Sequence, residues 1–288
     1  MEYLSTRDSS SQTFSFEQVL MEGLARDGGL YLPKKWKVPY GNNSSLTALS
    51  YADLAARIMA PYTAPSMNEN ILQKLAKNAY RNFDHSSVAP LTEISDGLWL
   101  MDLFHGPTLA FKDFALQFVG LLFDAVLKKR GNHLTILGAT SGDTGSAAIE
   151  AFRGYSNISI FILYPEGRVS EVQRRQMTSV MDPNVHTLAI DGSFDDCQAI
   201  VKDLFNDLSF RDEMKLGAIN SINWGRILAQ TVYYWHASLV LNSSKNGISF
   251  SVPTGNFGNI FAGWVASQSG LLVNKLLVAT NKNDILAR

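Results

Sequence analysis

A single cysteine, Cys197, leaves no partner for an internal disulfide and points to a reducing compartment. Neither sign of charge is in excess: 25 Lys plus Arg stand against 26 Asp plus Glu. No basic surface therefore advertises nucleic acid or an anionic membrane. No apolar run approaches the length of a membrane span, and Met1-Glu2-Tyr3 opens neither a signal nor a transit peptide. The expected location is the cytoplasm. The five histidines, at 85, 105, 133, 186 and 236, have no metal-ligand spacing, so no metal centre is expected. The Gly-rich loops end in no Gly-Lys-Ser/Thr and lack the spacing Gly-x-Gly-x-x-Gly. A hydrolase elbow needs Gly-x-Ser-x-Gly, and Ser141 stands one residue out of place for it.

What the chain does have is enough apolar material for a substantial core. Its 288 residues, 46% hydrophobic, suit one large domain or two ordinary ones. The first 90 or so read as mainly helical. Thr13 to Ala25 is periodic through Phe16, Val19, Leu20 and Leu24 and runs to a turn at Asp27-Gly28-Gly29. Tyr40 to Ser45 is a polar linker, Ser50 an N-cap for a helix through Leu54 and Ile58, and a further helix covers Asn70 to Tyr80. From about residue 91, apolar runs alternate with amphipathic segments. Leu134–Leu137, Ile158–Leu163, Val185–Ile190, Ile248–Val252 and Leu276–Ala279 read as buried strands. Ser170–Val180, Asp195–Leu208 and Trp224–Val240 read as the helices between them. The pattern predicts an α/β fold with a largely parallel sheet, whose ligands sit beyond the carboxyl ends of the strands.

Three stretches carry chemistry. In the first, a turn at Gly106-Pro107 feeds a helical pattern through Leu109, Phe111, Phe114, Ala115, Phe118, Val119 and Leu122. Lys112 lies at its start, between Phe111 and Phe114. A lysine held against apolar surface loses hydration, which disfavours the ammonium and favours the amine that attacks carbonyls. A lone lysine can equally run its stem along the helix and keep its head in water. The second stretch is Gly138-Ala139-Thr140-Ser141-Gly142-Asp143-Thr144-Gly145, leading into a helix from Ser146. Glycines, hydroxyls and a helix start make a seat for a carboxylate or phosphate. An ordinary turn capped by Thr144 fits the same residues. The third is Thr254-Gly255-Asn256-Phe257-Gly258-Asn259, before a helix from Ile260. Its amides can wrap an anion without a cationic side chain, although a plain loop with Asn259 as helix cap also fits.

The run from Phe104 to Gln117, containing His105-Gly106-Pro107-Thr108-Leu109-Ala110-Phe111-Lys112-Asp113, resembles the lysine motif of the threonine synthase family. That family belongs to the tryptophan-synthase-β-like, fold type II group of pyridoxal-phosphate enzymes. Tyr3 to Pro33 resembles the family's amino-terminal domain. The resemblance implies an amino-terminal domain over 1–88 and a catalytic core over 89–288 that lacks the family's carboxyl-terminal third. It implies pyridoxal 5'-phosphate held by Lys112, with Phe111 against the pyridine ring, although core packing suits Phe111 as well. Gly255, Asn256, Phe257, Gly258 and Asn259 would take the cofactor phosphate; Ser141, Gly142, Asp143, Thr144 and Gly145 would take the substrate carboxylate. The implied reaction converts O-phospho-L-homoserine and water to L-threonine and phosphate. The alternatives are a phospho-lyase releasing 2-oxobutyrate, or a truncated pyridoxal-phosphate binder without catalysis. Two more runs, Tyr164–Ser170 and Asn220–Arg226, resemble the family without an assigned role. The residue bonding the pyridine nitrogen is expected beyond Arg288.

Asp195-Asp196 reads as a solvated first helical turn, and Lys128-Lys129-Arg130 as the basic carboxyl end of a helix before Gly131.

Overall fold

A computed structural model describes residues 1–39, 43–217, 221–243 and 246–282. Parts of two expected segments, the linker at 40–42 and Asn220, and the tail at 283–288 lie outside the described residues. In chain order the elements are β1 (Tyr3–Ser5), α1 (Phe16–Glu22), β2 (Tyr31–Pro33), α2 (Asn43–Thr47), α3 (Tyr51–Thr63) and α4 (Glu69–Tyr80). Next come β3 (Leu91–Ser95), β4 (Leu98–Met101), α5 (Lys112–Arg130), β5 (Leu134–Ala139), α6 (Asp143–Phe152), β6 (Ile158–Pro165) and α7 (Glu171–Thr178). The remainder is β7 (Val185–Ile190), α8 (Phe194–Asn206), α9 (Leu208–Glu213), β8 (Leu216–Gly217), α10 (Trp224–Val240), β9 (Ile248–Pro253), α11 (Gly258–Gln268) and β10 (Val273–Ala279).

The parallel ladder runs β7-β6-β5-β8, and a separate parallel pair joins β9 to β10. Expected as one sheet, the five strands divide between two ladders. Expected burial also differs among them. β5 and β6 are buried, but β7, β9 and β10 leave side chains in the open, Leu277 at 50% exposure and Leu188 at 45%. Two helices fill the middle of the core. α10 is buried on nearly every face and packs on α5, while α6 lies against α5 and α11 against α10. A helix apolar all round belongs inside, and these two set the spacing of everything carried at their ends.

Local chemistry explains most boundaries. Ser15 and Gln18 form a capping box at α1, and Gly23 in the left-handed region stops it, earlier than the expected turn at Asp27-Gly28-Gly29. Ser50, Asn68, Ser170 and Ser193 each cap a helix by accepting a backbone N–H. α6 opens at Asp143 and not at Ser146, so Thr144 sits inside the first turn rather than capping it. α11 opens at Gly258, two residues before the expected Ile260. Leu109, expected on the helix face, lies outside α5 with φ of 59° and 65% exposure.

The basic end of α5 is occupied by carboxylates. Lys128 Nζ reaches Asp124 at 2.8 Å, and Lys129 Nζ and Arg130 Nη2 both reach Glu17 on α1 at 2.8 Å. Burial alone would raise Glu17, but the hydrogen bonds and charges of Lys129 and Arg130 outweigh it and hold its carboxyl below the ordinary glutamate range. A depressed folded-state value means that this contribution is complete above the ordinary glutamate range. It is lost as pH falls through the lower folded value. Urea midpoints measured from pH 7 down to pH 3 (roughly the span over which carboxylates titrate) should therefore fall less steeply in Glu17→Gln than in wild type. Parallel curves would remove Glu17 from the acid response.

The segment before residue 89 grips the start of α10. Trp224 Nε1 donates to the Tyr3 hydroxyl at 2.9 Å, which donates to the Tyr62 carbonyl at 2.6 Å. Asn223 caps α10 through the Gly225 N–H and donates its own amide to the Leu20 carbonyl, both at 2.9 Å. The position of Arg226, one turn further on, is thus fixed from the amino-terminal side.

Candidate active site

Gly106 starts the construction. A Cβ there would lie 2.4 Å from the Cβ of Asp113, so only glycine lets the 106–109 turn close over that carboxylate. Asp113 is fully buried and accepts from the Thr108 N–H at 2.8 Å and the Thr108 hydroxyl at 2.7 Å. Burial pushes its carboxyl up, with the Thr108 bonds opposing the shift. The turn so pinned delivers Phe111 and Lys112 at the start of α5. Lys112 Nζ lies 4.5 Å from the Phe111 ring centroid. Its side chain is 14% exposed, but it is not dry and unpartnered as the apolar neighbours suggested: Nζ donates to Asp143 Oδ2 at 2.7 Å.

That bond joins the first junction to the second. The loop from Ser141 to Gly145 is packed from beneath by Thr140, whose hydroxyl oxygen accepts the N–H of Gly142 at 3.1 Å and of Gly145 at 2.9 Å. A Cβ on Gly145 would meet Thr140 Cγ2 at 2.5 Å and Met177 Sδ at 2.7 Å. Two of the expected free amides are therefore engaged within the loop. The first-turn N–H groups of Asp143 and Thr144 precede any helical carbonyl that could accept them. The Tyr164–Ser170 run, without an assigned role in the sequence, leads into α7. From α7, Gln173 packs over Gly142 and Gln176 Nε2 donates to the Thr108 carbonyl at 3.3 Å. One short helix thus braces both loops.

The third junction closes a cavity of about 180 Å³, lined by Phe111, Lys112, Ser221, Arg226, Gln230 and every residue from Pro253 to Asn259. Gly255, Asn256, Phe257, Gly258 and Asn259 thus face Lys112 and Phe111 across one space. A Cβ built on Gly255 meets nothing within 4 Å; one on Gly258 comes within 3.1 Å of the Ser221 carbonyl. Phe257 holds the left-handed conformation at φ 58°, a strain of about 1–3 kcal/mol that surrounding packing must sustain. Asn259 does not cap α11. Its Oδ1 lies 2.7 Å from the Tyr233 hydroxyl and 2.9 Å from that of Tyr234, both on α10.

Arg226 ends the Asn220–Arg226 run, which the family resemblance singles out without an assigned role. It is buried within α10 and lines the cavity, so the cradle expected to act without a cation has one. Burial pulls its guanidinium down to about 10, with the nearby Asp143 carboxylate opposing. It still carries a full charge at neutral pH. A lysine, a buried guanidinium and a Gly-rich loop form a donor set suited to a phosphorylated aldehyde or a similar anion. The space in front of Gly255 is what such a group would fill.

Among the described residues, no group of three or more His, Cys, Asp and Glu is placed to hold a metal, and no helix is long and apolar enough to cross a membrane.

The family model for the threonine synthase N terminus matches residues 2–80, and that for pyridoxal-phosphate dependent enzymes matches residues 85–287. The threonine synthase of Pseudomonas aeruginosa is 52% identical over 289 residues, covering 100% of this chain and 61% of the relative. That of Schizosaccharomyces pombe is 47% identical, covering 99% and 58% respectively. The crystal structure of pyridoxal-phosphate-bound threonine synthase from Brucella melitensis superposes with a TM-score of 0.94 at 49% identity, over 100% of this chain and 62% of the other. The chain spans about three fifths of the length of these relatives. With a family model over most of its length and this superposition, the chain belongs to the pyridoxal-phosphate dependent enzymes, on their threonine synthase branch.

Proposed function

We propose that this chain carries the cofactor-holding core of a threonine synthase, converting O-phospho-L-homoserine and water to L-threonine and phosphate. The observation that carries the reading is the meeting of Lys112, Arg226 and the 253–259 loop in one cavity, with the Ser141–Gly145 loop tied to Lys112. Pyridoxal phosphate fits this donor set. Lys112 would hold its aldehyde end, Phe111 would flank the ring, and Gly255 to Asn259 with Arg226 would seat the phosphate. When bound, the cofactor supplies an electron sink for charge developing on an amino acid.

The protein's own part is placement and proton handling. Within the Ser141–Gly145 loop, the first-turn amides of Asp143 and Thr144 and the hydroxyls of Ser141 and Thr144 would orient the substrate carboxylate, the helix dipole of α6 favouring the negative charge. Lys112 Nζ would take the proton from the substrate α-carbon, a role open to a lysine whose position is fixed and whose side chain is mostly out of water. Phosphate leaves from the γ-carbon, and water adds its oxygen to the β-carbon. The amino-terminal domain, read as residues 1–88, would serve the core of 89–288 by holding the start of α10, and with it Arg226.

Product analysis tests the reading. Given O-phospho-L-homoserine and cofactor, the whole protein containing this chain should release threonine and phosphate in equal amounts. Release of 2-oxobutyrate in place of threonine would reassign it as a phospho-lyase, and cofactor binding with neither product would make it a non-catalytic binder.

A further inference from the structure

We propose that Asp143 is the counter-ion that holds the Lys112 amine in place, a positioning residue rather than a contact for the substrate carboxylate. The inference rests on Lys112 being the working lysine of this site. A carboxylate has no donor and repels a second carboxylate, so within a loop read as a carboxylate seat Asp143 needs a different role. The geometry supplies one, because Oδ2 sits 2.7 Å from Nζ. Asp143 is the first residue of α6, where the positive end of the helix dipole favours its charge, and its side chain is 43% exposed, so it is solvated as well as paired.

Among the described residues, the other charged groups around Nζ leave that pairing to Asp143. Arg226, from α10, is a second cation in the cavity wall. Asp113, the next residue along α5, turns to Thr108, and the 253–259 loop has no titratable side chain. Asp143 therefore stands between two cations. It bonds one and shares its field with the other, and it ties the start of α5 to the start of α6. Paired this way, Nζ stays in place until a ligand displaces the contact.

The test needs no cofactor. Reductive methylation of the protein at about pH 7.5, where only the unprotonated fraction of each amine reacts, is followed for each lysine by peptide mass spectrometry. In Asp143→Asn, Lys112 should be modified several-fold faster than in wild type, with Lys128 and Lys129 unchanged. Asp143→Glu should return it towards the slow rate. If Asp143→Asn fails to fold, seen as faster modification of every lysine, Asp143→Ser, whose hydroxyl suits a first helical turn, is measured in its place. Equal rates in wild type and the neutral variant, or a glutamate variant as fast as the neutral one, would overturn the proposal. Borohydride fixation of pyridoxal phosphate on a lysine other than Lys112 would instead remove the functional reading and leave the ion pair standing.

Discussion

Lys112→Ala should abolish fixation of pyridoxal phosphate by borohydride on the peptide spanning 104–117 and reduce turnover by roughly 10²–10⁴-fold or more. The expectation follows from placement: Nζ reaches the cavity wall that Phe111 and the 253–259 loop complete. Among the described residues, no other lysine lines that cavity. The fold should tolerate the change. Lys112 contributes one ion pair to Asp143, and its removal leaves a carboxylate 43% exposed that water can solvate. Thermal unfolding and labelling can therefore be read separately on one preparation. A label that survives the substitution, or moves to another peptide, would show that the cofactor lysine lies elsewhere.

Lys112 and both loops were legible in the sequence for the same reason. Each is a contiguous run whose chemistry needs particular residues in a fixed local order, so the side chains that cooperate are neighbours in the chain. Gly106 could be read as a turn, but not as the gap that admits the carboxylate of Asp113, because that contact depends on how the turn folds back. Arg226 was legible only as the end of a family-like run without a role. It interrupts a helix that is apolar on every side, and a buried cation there shows only once the helix is set against the 253–259 loop. The pairing of Asp143 with Lys112 joins residues 31 apart and is likewise set by the packing of α5 on α6.

Other misses have local causes. α6 and α11 open without a side-chain cap, at Gly142 and at Phe257, so the usual N-cap signal pointed to later residues. β7 ends its ladder, and its burial alternates with strand position rather than with polarity: His186 and Leu188 are exposed while Val185 and Thr187 are half-buried, in place of the continuous burial inferred from its apolar content.

Arg226→Met should weaken binding of pyridoxine 5'-phosphate by roughly 10- to 100-fold, the loss expected when one charge-assisted hydrogen bond worth about 1.5–3 kcal/mol is removed. This probe has no aldehyde and cannot react with Lys112, so its affinity reports the anion seat alone. Methionine keeps an unbranched apolar stem at a buried position, so shape is largely preserved. Stability responds to this charge in the opposite sense from binding. Burial lowers the Arg226 guanidinium to about 10, so the folded state holds this proton less tightly than the unfolded chain does. The charge therefore costs stability through neutral pH, a cost relieved only as pH rises through about 10. Replacing a buried charge by an apolar side chain of similar length removes that cost. The ligand-free variant should consequently stay within a small margin of wild type in urea, while its gain in midpoint at a given concentration of the phosphate probe shrinks. Gly255→Val gives an independent check: its side chain would enter space where a Cβ meets no protein atom within 4 Å, filling the seat without disturbing the fold. Both variants should bind the probe more weakly and keep the fold, whereas Gly258→Val, pressed against the Ser221 carbonyl, should lose both. Wild-type affinity for pyridoxine 5'-phosphate in Arg226→Met would show that the guanidinium serves the packing of α10 and not the anion.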